Sequence, residues 1–257
     1  MSTQHSTAMR HLRGQRGFTL VELMVTIAIA LFLLGGLLTI VQNMRGTYIN
    51  QQALAQLQDQ QRFALSVLTD IIQAGGYFPD PIGMTSTVAL PAVGAVYQAG
   101  QAFTGTVTAG QPDSISVRYR TATGDGVILC DGSTNTTGAG QVYTNVFTVV
   151  PPAGAVPGQL QCALNGAAPV TIVNGVQGLQ IYYGVKRNTT IVDYNVDTYF
   201  TANQMQVAGP NGNDWNNVSS VRVILTFTNP LFGQPGQQAT IVFERVIEIM
   251  ARAGVHT

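Results

Sequence analysis

Between Phe18 and Val41 the chain carries one ionisable side chain, Glu22, and from Leu23 to Val41 it carries none. As a helix rising 1.5 Å per residue, a run of that length spans the ~30 Å hydrocarbon core of a bilayer. Whatever else this chain does, it must put that segment in lipid or against other apolar surface. Arg10, Arg13 and Arg16 precede the run and no basic residue follows it until Arg45, a bias that keeps the amino end in the cytoplasm and sends the rest across. A cleaved secretory signal has a similar layout, but here the apolar run is too long for one. No small-x-small cleavage site follows it before the glutamine-rich stretch. Glu22 is the anomaly, because an acid near the bilayer interior costs at least ~2.5 kcal/mol and so needs a partner or a purpose.

The residues around that acid read RGFTLVELMVTI from Arg16 to Ile27. A basic leader ending in Gly17, then Phe18, then Thr-Leu-Val-Glu-Leu and an apolar helix, resembles the prepilin signature shared by type IV pilins and type II secretion pseudopilins. The resemblance implies that Gly17 is the last leader residue. Phe18 would be the new N-terminus, exposed and methylated by a prepilin peptidase, and Glu22 the fifth residue of the mature chain. Cleavage would set a cationic amine on Phe18 within one helical turn of Glu22, and methylation keeps that charge. In low dielectric the amine of the same or a neighbouring chain would compensate the acid. The alternative is that Glu22 is an interfacial acid favoured by the helix dipole, and the sequence leaves both open.

Beyond the apolar run a helical pattern continues. Ile49, Ala53, Leu57, Ala64, Leu68 and Ile71 or Ile72 recur at spacings of three and four among Gln and Asp residues, which predicts an amphipathic extension. With no proline before Pro79 and Gly75-Gly76 as a C-terminal cap, the helix is predicted from about Phe18 to Ala74, roughly 85 Å long. Gly35, Gly36 and Gly46 are its weak points. After Tyr77 the composition shifts to Gly, Pro, Thr and short β-branched runs. Residues 78–112 read as irregular connection, and strands are predicted at 114–120, 141–150, 176–185, 190–200, 219–228 and 240–250, the last two as a hairpin. Strands in series without helices between them favour an antiparallel sheet, packed by its apolar face on the helix. The expected class is α+β and pilin-like: leader 1–17, long helix 18–76 with 18–41 transmembrane, and a periplasmic or extracellular β-rich domain 77–257.

Charged residues are only 9% of the 257, and the formal net charge is zero. Without the leader, nine basic residues face twelve acidic ones, which is no footprint for nucleic acid. Clusters of basic residues past the helix are confined to Arg118-Tyr119-Arg120 and Lys186-Arg187. Cys130 and Cys162 are the two cysteines, too few for a four-ligand cysteine zinc site and too far apart for a CxxC pair. Flanking about thirty residues on the non-cytoplasmic side, they suggest a structural disulfide, with two buried free thiols as the alternative. Asp193, Asn195 and Asp197 have the opening spacing of a calcium loop without its glycine or its final glutamate, and their alternation is that of a strand's solvent face. Asn135, Asn188 and Asn217 begin N-x-S/T sequons that mark those segments as exposed. Trp215 lies in a turn-rich loop, and packing over the sheet edge is favoured over anchoring a partner.

His5, His11 and His256 lie in the leader or the tail, so no histidine triad or zinc site is expected. Nor does any phosphate loop or G-x-S-x-G elbow occur. The chain is therefore read as no enzyme and as needing no cofactor. A membrane-tethered adhesin or other binding module is the rival class, but a long apolar helix is more than a tether needs. Gln60-Gln61-Arg62-Phe63-Ala64-Leu65, Asp70 through Gly75-Gly76-Tyr77, Cys130-Asp131-Gly132, Cys162 and Val221-Arg222-Val223 resemble the PilW family of type IV pilus minor pilins. That resemblance implies a low-copy subunit which helps prime assembly near the filament tip. Its implied partners are other minor pilins, the major pilin and a large adhesin, and it would pass from the inner membrane to the extracellular pilus. The corresponding type II secretion pseudopilin shares the N-terminal signature and remains the second reading.

Overall fold

A computed structural model describes residues 17–188, 195–209 and 212–250. The leader before Gly17, residues 190–194 of the strand predicted at 190–200, Asp193 among them, and the histidines all lie outside the described residues; of that strand Thr198–Phe200 is observed. By its internal contacts the chain divides into two units, Met1–Gln52 and Ala53–Thr257.

One helix, α1 (Leu20–Gln73), is continuous through Gly35, Gly36 and Gly46. Within the first unit every described side chain from Gly17 to Ile49 is exposed, Phe32 to 83%. Among the described residues α1 is the one helix long and apolar enough to cross a membrane. Within the second unit the periodic positions become core: Leu57, Ala64, Leu65, Leu68, Ile71 and Ile72 are buried. The helix ends as the Gly-Gly pair predicts. Gly75 N–H donates to the Ile72 carbonyl at 3.0 Å and Tyr77 N–H to Ala74 at 2.9 Å, while Gly76 takes φ +82°, a value that costs a side-chain-bearing residue strain. Gly75 is required for a second reason: a Cβ there would fall 2.2 Å from the ring of Phe103.

The fold is α+β as expected, but its strands make two antiparallel sheets instead of one. Strands β1 (Phe103–Thr106), β2 (Ser114–Thr121), β3 (Gln141–Val150), β4 (Gln159–Leu164) and β5 (Val170–Asn174) form a meander in sequence order. Strands β6 (Val176–Val185), β7 (Thr198–Phe200), β8 (Ser220–Thr228) and β9 (Thr240–Glu248) form the second sheet, ordered β7-β6-β8-β9. The predicted hairpin is β8 and β9, paired without a register shift from Ser220–Glu248 to Thr228–Thr240. Alternation places Tyr143, Asn145, Phe147 and Val149 of β3, and Val221, Val223, Leu225 and Phe227 of β8, inward. These join the buried face of α1 in one core. Residues 78–112, read as irregular, contain the short helix α2 (Ser86–Ala89) and strand β1.

The two sheets are tied at the start of β2. Asp113 N–H donates to the Leu179 carbonyl at 2.8 Å, and the Asp113 carboxylate accepts from Ile181 N–H at 2.9 Å. Burial holds that carboxyl above the usual range, against the opposing pull of the Ile181 amide.

Candidate functional site

The N-terminal segment is built for a helix start. Thr19 is the cap: its Oγ1 accepts from Glu22 N–H at 3.2 Å and its carbonyl from Leu23 N–H at 3.1 Å. Glu22 therefore occupies the third helical position, in the Thr-x-x-Glu order of a capping box, and lies in the first turn where the helix dipole favours an acid. The signal for this cap is present in the sequence as Thr19 three residues before Glu22. Gly17 and Phe18 precede the helix and are exposed.

Cys130 and Cys162 are joined in a disulfide with Cα atoms 6.2 Å apart. Cys162 lies on β4 opposite Phe147 of β3. Cys130 lies in the β2–β3 connection, and its N–H donates to Asn145 Oδ1 at 3.0 Å. Both sulfurs are in the core. The segment between them is part of the core, because it contains β3, which supplies Tyr143, Asn145, Phe147 and Val149. Cys130→Ser should accordingly lower stability by about 3 to 4 kcal/mol, the loop-closure term for this separation, while membrane insertion is unchanged. A comparison of denaturant midpoints with those of the reduced wild type tests this: equal midpoints for oxidised wild type and variant would remove the bridge from the stability of the fold.

Arg118 is the residue whose role the sequence concealed. Read there as one of a few clustered basic residues, it is 1% exposed. Its Nε donates to Gln101 O at 2.5 Å, Nη1 to Pro91 O at 2.7 Å, and Nη2 to Gln98 O at 2.9 Å and Leu90 O at 3.3 Å. The guanidinium also stacks 4.3 Å from the centre of the Tyr97 ring, and the Tyr97 hydroxyl meets Ser116 Oγ at 2.5 Å. Desolvation lowers the Arg118 pKa and the nearby Tyr97 opposes that shift. One cation thus fastens the 90–101 connection over β2, on the face opposite the core.

The second basic pair is no free patch either. Arg187 pairs with the buried Asp214 and stacks 3.9 Å from the Phe200 ring centre, while Asp214 also accepts from Gln206 N–H at 2.8 Å. The Asp197 oxygens are occupied by the amides of Arg187 at 3.1 Å and Asn188 at 2.6 Å, which hold the carboxyl below its usual range. Among the described residues no group of three His, Cys, Asp or Glu is placed to hold a metal. Asn135 is buried, not exposed as its sequon suggested. Its Nδ2 donates to Thr121 O at 2.7 Å and Ala139 O at 2.8 Å, and its Oδ1 accepts from Thr137. Trp215 packs edge-on against Tyr183 with centroids 4.8 Å apart.

An exposed apolar helix behind a capped Gly-Phe-Thr start, and a helix-on-sheet domain closed by a disulfide, fit the pilin-like architecture expected from the sequence. The family models agree. Residues 12–38 match the prokaryotic N-terminal methylation motif, and residues 147–240, from β3 to the start of β9, match the type IV pilus-assembly protein W family, PilW. Over these two stretches the chain is similar to the PilW family and to the methylation motif of exported pilins, which supports a type IV pilus-related pilin. No curated protein matches it.

Proposed function

We propose that this chain is a minor pilin that takes part in priming type IV pilus assembly and sits in or near the filament tip, without catalytic activity. The observation that carries this reading is the bare apolar helix: thirty-odd residues of α1 expose their side chains on every side, a surface that demands lipid first and neighbouring subunits afterwards. In this reading residues 1–17 are a leader removed by prepilin peptidase and residues 18–41 cross the inner membrane with the amino end in the cytoplasm. The β-rich domain then lies in the periplasm until assembly carries it outside. Its partners are other minor pilins, the major pilin and a large tip adhesin.

Processing is the first test. Intact-mass measurement on the membrane fraction should show cleavage after Gly17 and one added methyl group on Phe18; a retained leader, or cleavage after the apolar run, would sink the reading. Copy number is the second. The globular part is large beside its helix, and close repetition would crowd it, so quantitative mass spectrometry of sheared pili should find few copies per filament. Finding the chain as the main component would refute the tip placement. The type II secretion alternative is separated by a deletion strain, which loses twitching motility only if the pilus is the machine served.

A further inference from the structure

The β9 strand ends the order of the second sheet, and its open side can be read from hydrogen bonds at its two ends. Ile249 N–H donates to the Ser219 carbonyl at 3.0 Å, and Asn229 N–H to the Ala239 carbonyl at 2.9 Å. Both pairs continue the β8–β9 register. Bonded and non-bonded pairs alternate along an antiparallel ladder, so Ile241, Phe243, Arg245 and Ile247 turn their backbone groups toward β8. The N–H and C=O groups of Val242, Glu244, Val246 and Glu248 face the other way, and among the described residues they meet no backbone partner; the next outward donor, Met250 N–H, is taken by the Gln73 carbonyl at the end of α1 at 3.2 Å, so the open stretch ends at Glu248.

Exposed edges are ordinarily blunted by shortness, bulges, proline, lysine or an unpaired charge. The other edge strands follow that rule by being short: β7 has three residues, β1 four and β5 five. At nine residues β9 is the long edge, with no bulge against β8 and no proline or lysine. Its central charge does not guard it, because Glu244 is held back on the sheet by Arg222, with Oε1 2.7 Å from Nε and Oε2 2.9 Å from Nη2. Beside it Val242 and Val246 are 59% and 50% exposed. Glu248 is exposed at the strand's end and no basic group is bonded to it among the described residues.

We propose that the open edge of β9 accepts an extended segment of another pilus subunit as an added strand, with a lysine or arginine of that segment beside Glu248. The proposal rests on the pilus reading above. Charge favours a different subunit over a second copy. A two-fold pairing that sets Val242 against Val246 puts Glu244 directly opposite Glu244, and the neighbouring register sets valine against glutamate along the strand, both unfavourable. A foreign strand with apolar residues opposite the valines and a cation near Glu248 meets neither problem, and main-chain bonding supplies its affinity.

The test places p-benzoylphenylalanine at Val246 of the full chain in piliated cells, with the same photoreactive residue at Leu31 of α1 as a control. Irradiation should yield, from position 246, an adduct with a single extended peptide of another pilin. Val242→Pro removes an outward N–H and leaves the β8 ladder intact, so it should reduce that adduct severalfold with an unchanged melting temperature. Should the proline variant melt early, Glu248→Lys takes its place, since it reverses the charge without touching the backbone, and the same severalfold loss is expected. Adducts at Leu31 with none at Val246 would overturn the edge proposal alone, as would adducts joining only two copies of this chain, or an adduct indifferent to the variants. No pilin adduct at either position would remove the pilus reading and this proposal with it.

Discussion

Methionine in place of Arg118 should destabilise the folded domain by about 3 to 5 kcal/mol, the range for removing one member of a buried charged network. Methionine keeps much of the side chain's length and apolar stem, so packing on β2 is largely retained and the loss is electrostatic. The carbonyls of Pro91 and Gln101 would lose their donor, while Leu90 O keeps Gly100 N–H and Gln98 O keeps Gln101 N–H, and an unsatisfied buried carbonyl costs roughly 1 to 3 kcal/mol. The Tyr97 ring would lose its cation as well. Arg118→Lys should recover only part of the loss, because one ammonium cannot reach four carbonyls arranged around a planar fork. In a thermal melt of the full chain in detergent, Arg118→Met should lower the transition by roughly 10 °C. A shift of a degree or two would mean that the 90–101 connection is held by its own turns.

Glu22→Gln should leave insertion and leader cleavage intact yet reduce incorporation into pili by at least about tenfold, if the acid is neutralised by the Phe18 amine of an adjoining subunit. Aliphatic side chains discriminate weakly between axial registers, whereas an unpaired charge buried among helices costs several kcal/mol and penalises every wrong one. The structure sharpens the alternative. Glu22 sits three residues after the Thr19 cap, a position where glutamine serves as well as glutamate, and the dipole term lost with the charge is only ~0.3 to 1 kcal/mol. A helix-start role therefore predicts near-silence, and an assembly role predicts a large loss. Wild-type incorporation of the glutamine variant, with processing confirmed by mass, would leave Glu22 as the acid of a helix start.

Elements with a strong period and one buried face were legible beforehand. The pattern from Leu57 to Ile72 reported the docked part of α1, though Ile49, read as its start, is exposed, and the alternation of β3, β6 and β8 gave those strands to within a residue of their bounds. β1, β4 and β5 were missed because they are four to six residues long, and no run of alternation that short stands out from its glycine-, proline- and asparagine-rich surroundings. Without them the division into two sheets could not be seen.

The amino-acid order alone determined the apolar helix with its capped, acid-bearing start, its Gly-Gly end and the antiparallel hairpin, since each is written in spacing along the chain and stabilised by near neighbours. Tertiary structure decided the rest. In β2, Ser116 and Arg118 fall on the strand face that alternation assigns to solvent; they are buried because the 90–101 connection folds back over them. Asn135 is buried for the same reason, its amide satisfied by carbonyls of Thr121 and Ala139. Periodicity reports burial on one face of an element, but a polar group becomes core only where distant backbone arrives to satisfy its hydrogen bonds, and no local pattern encodes that arrival.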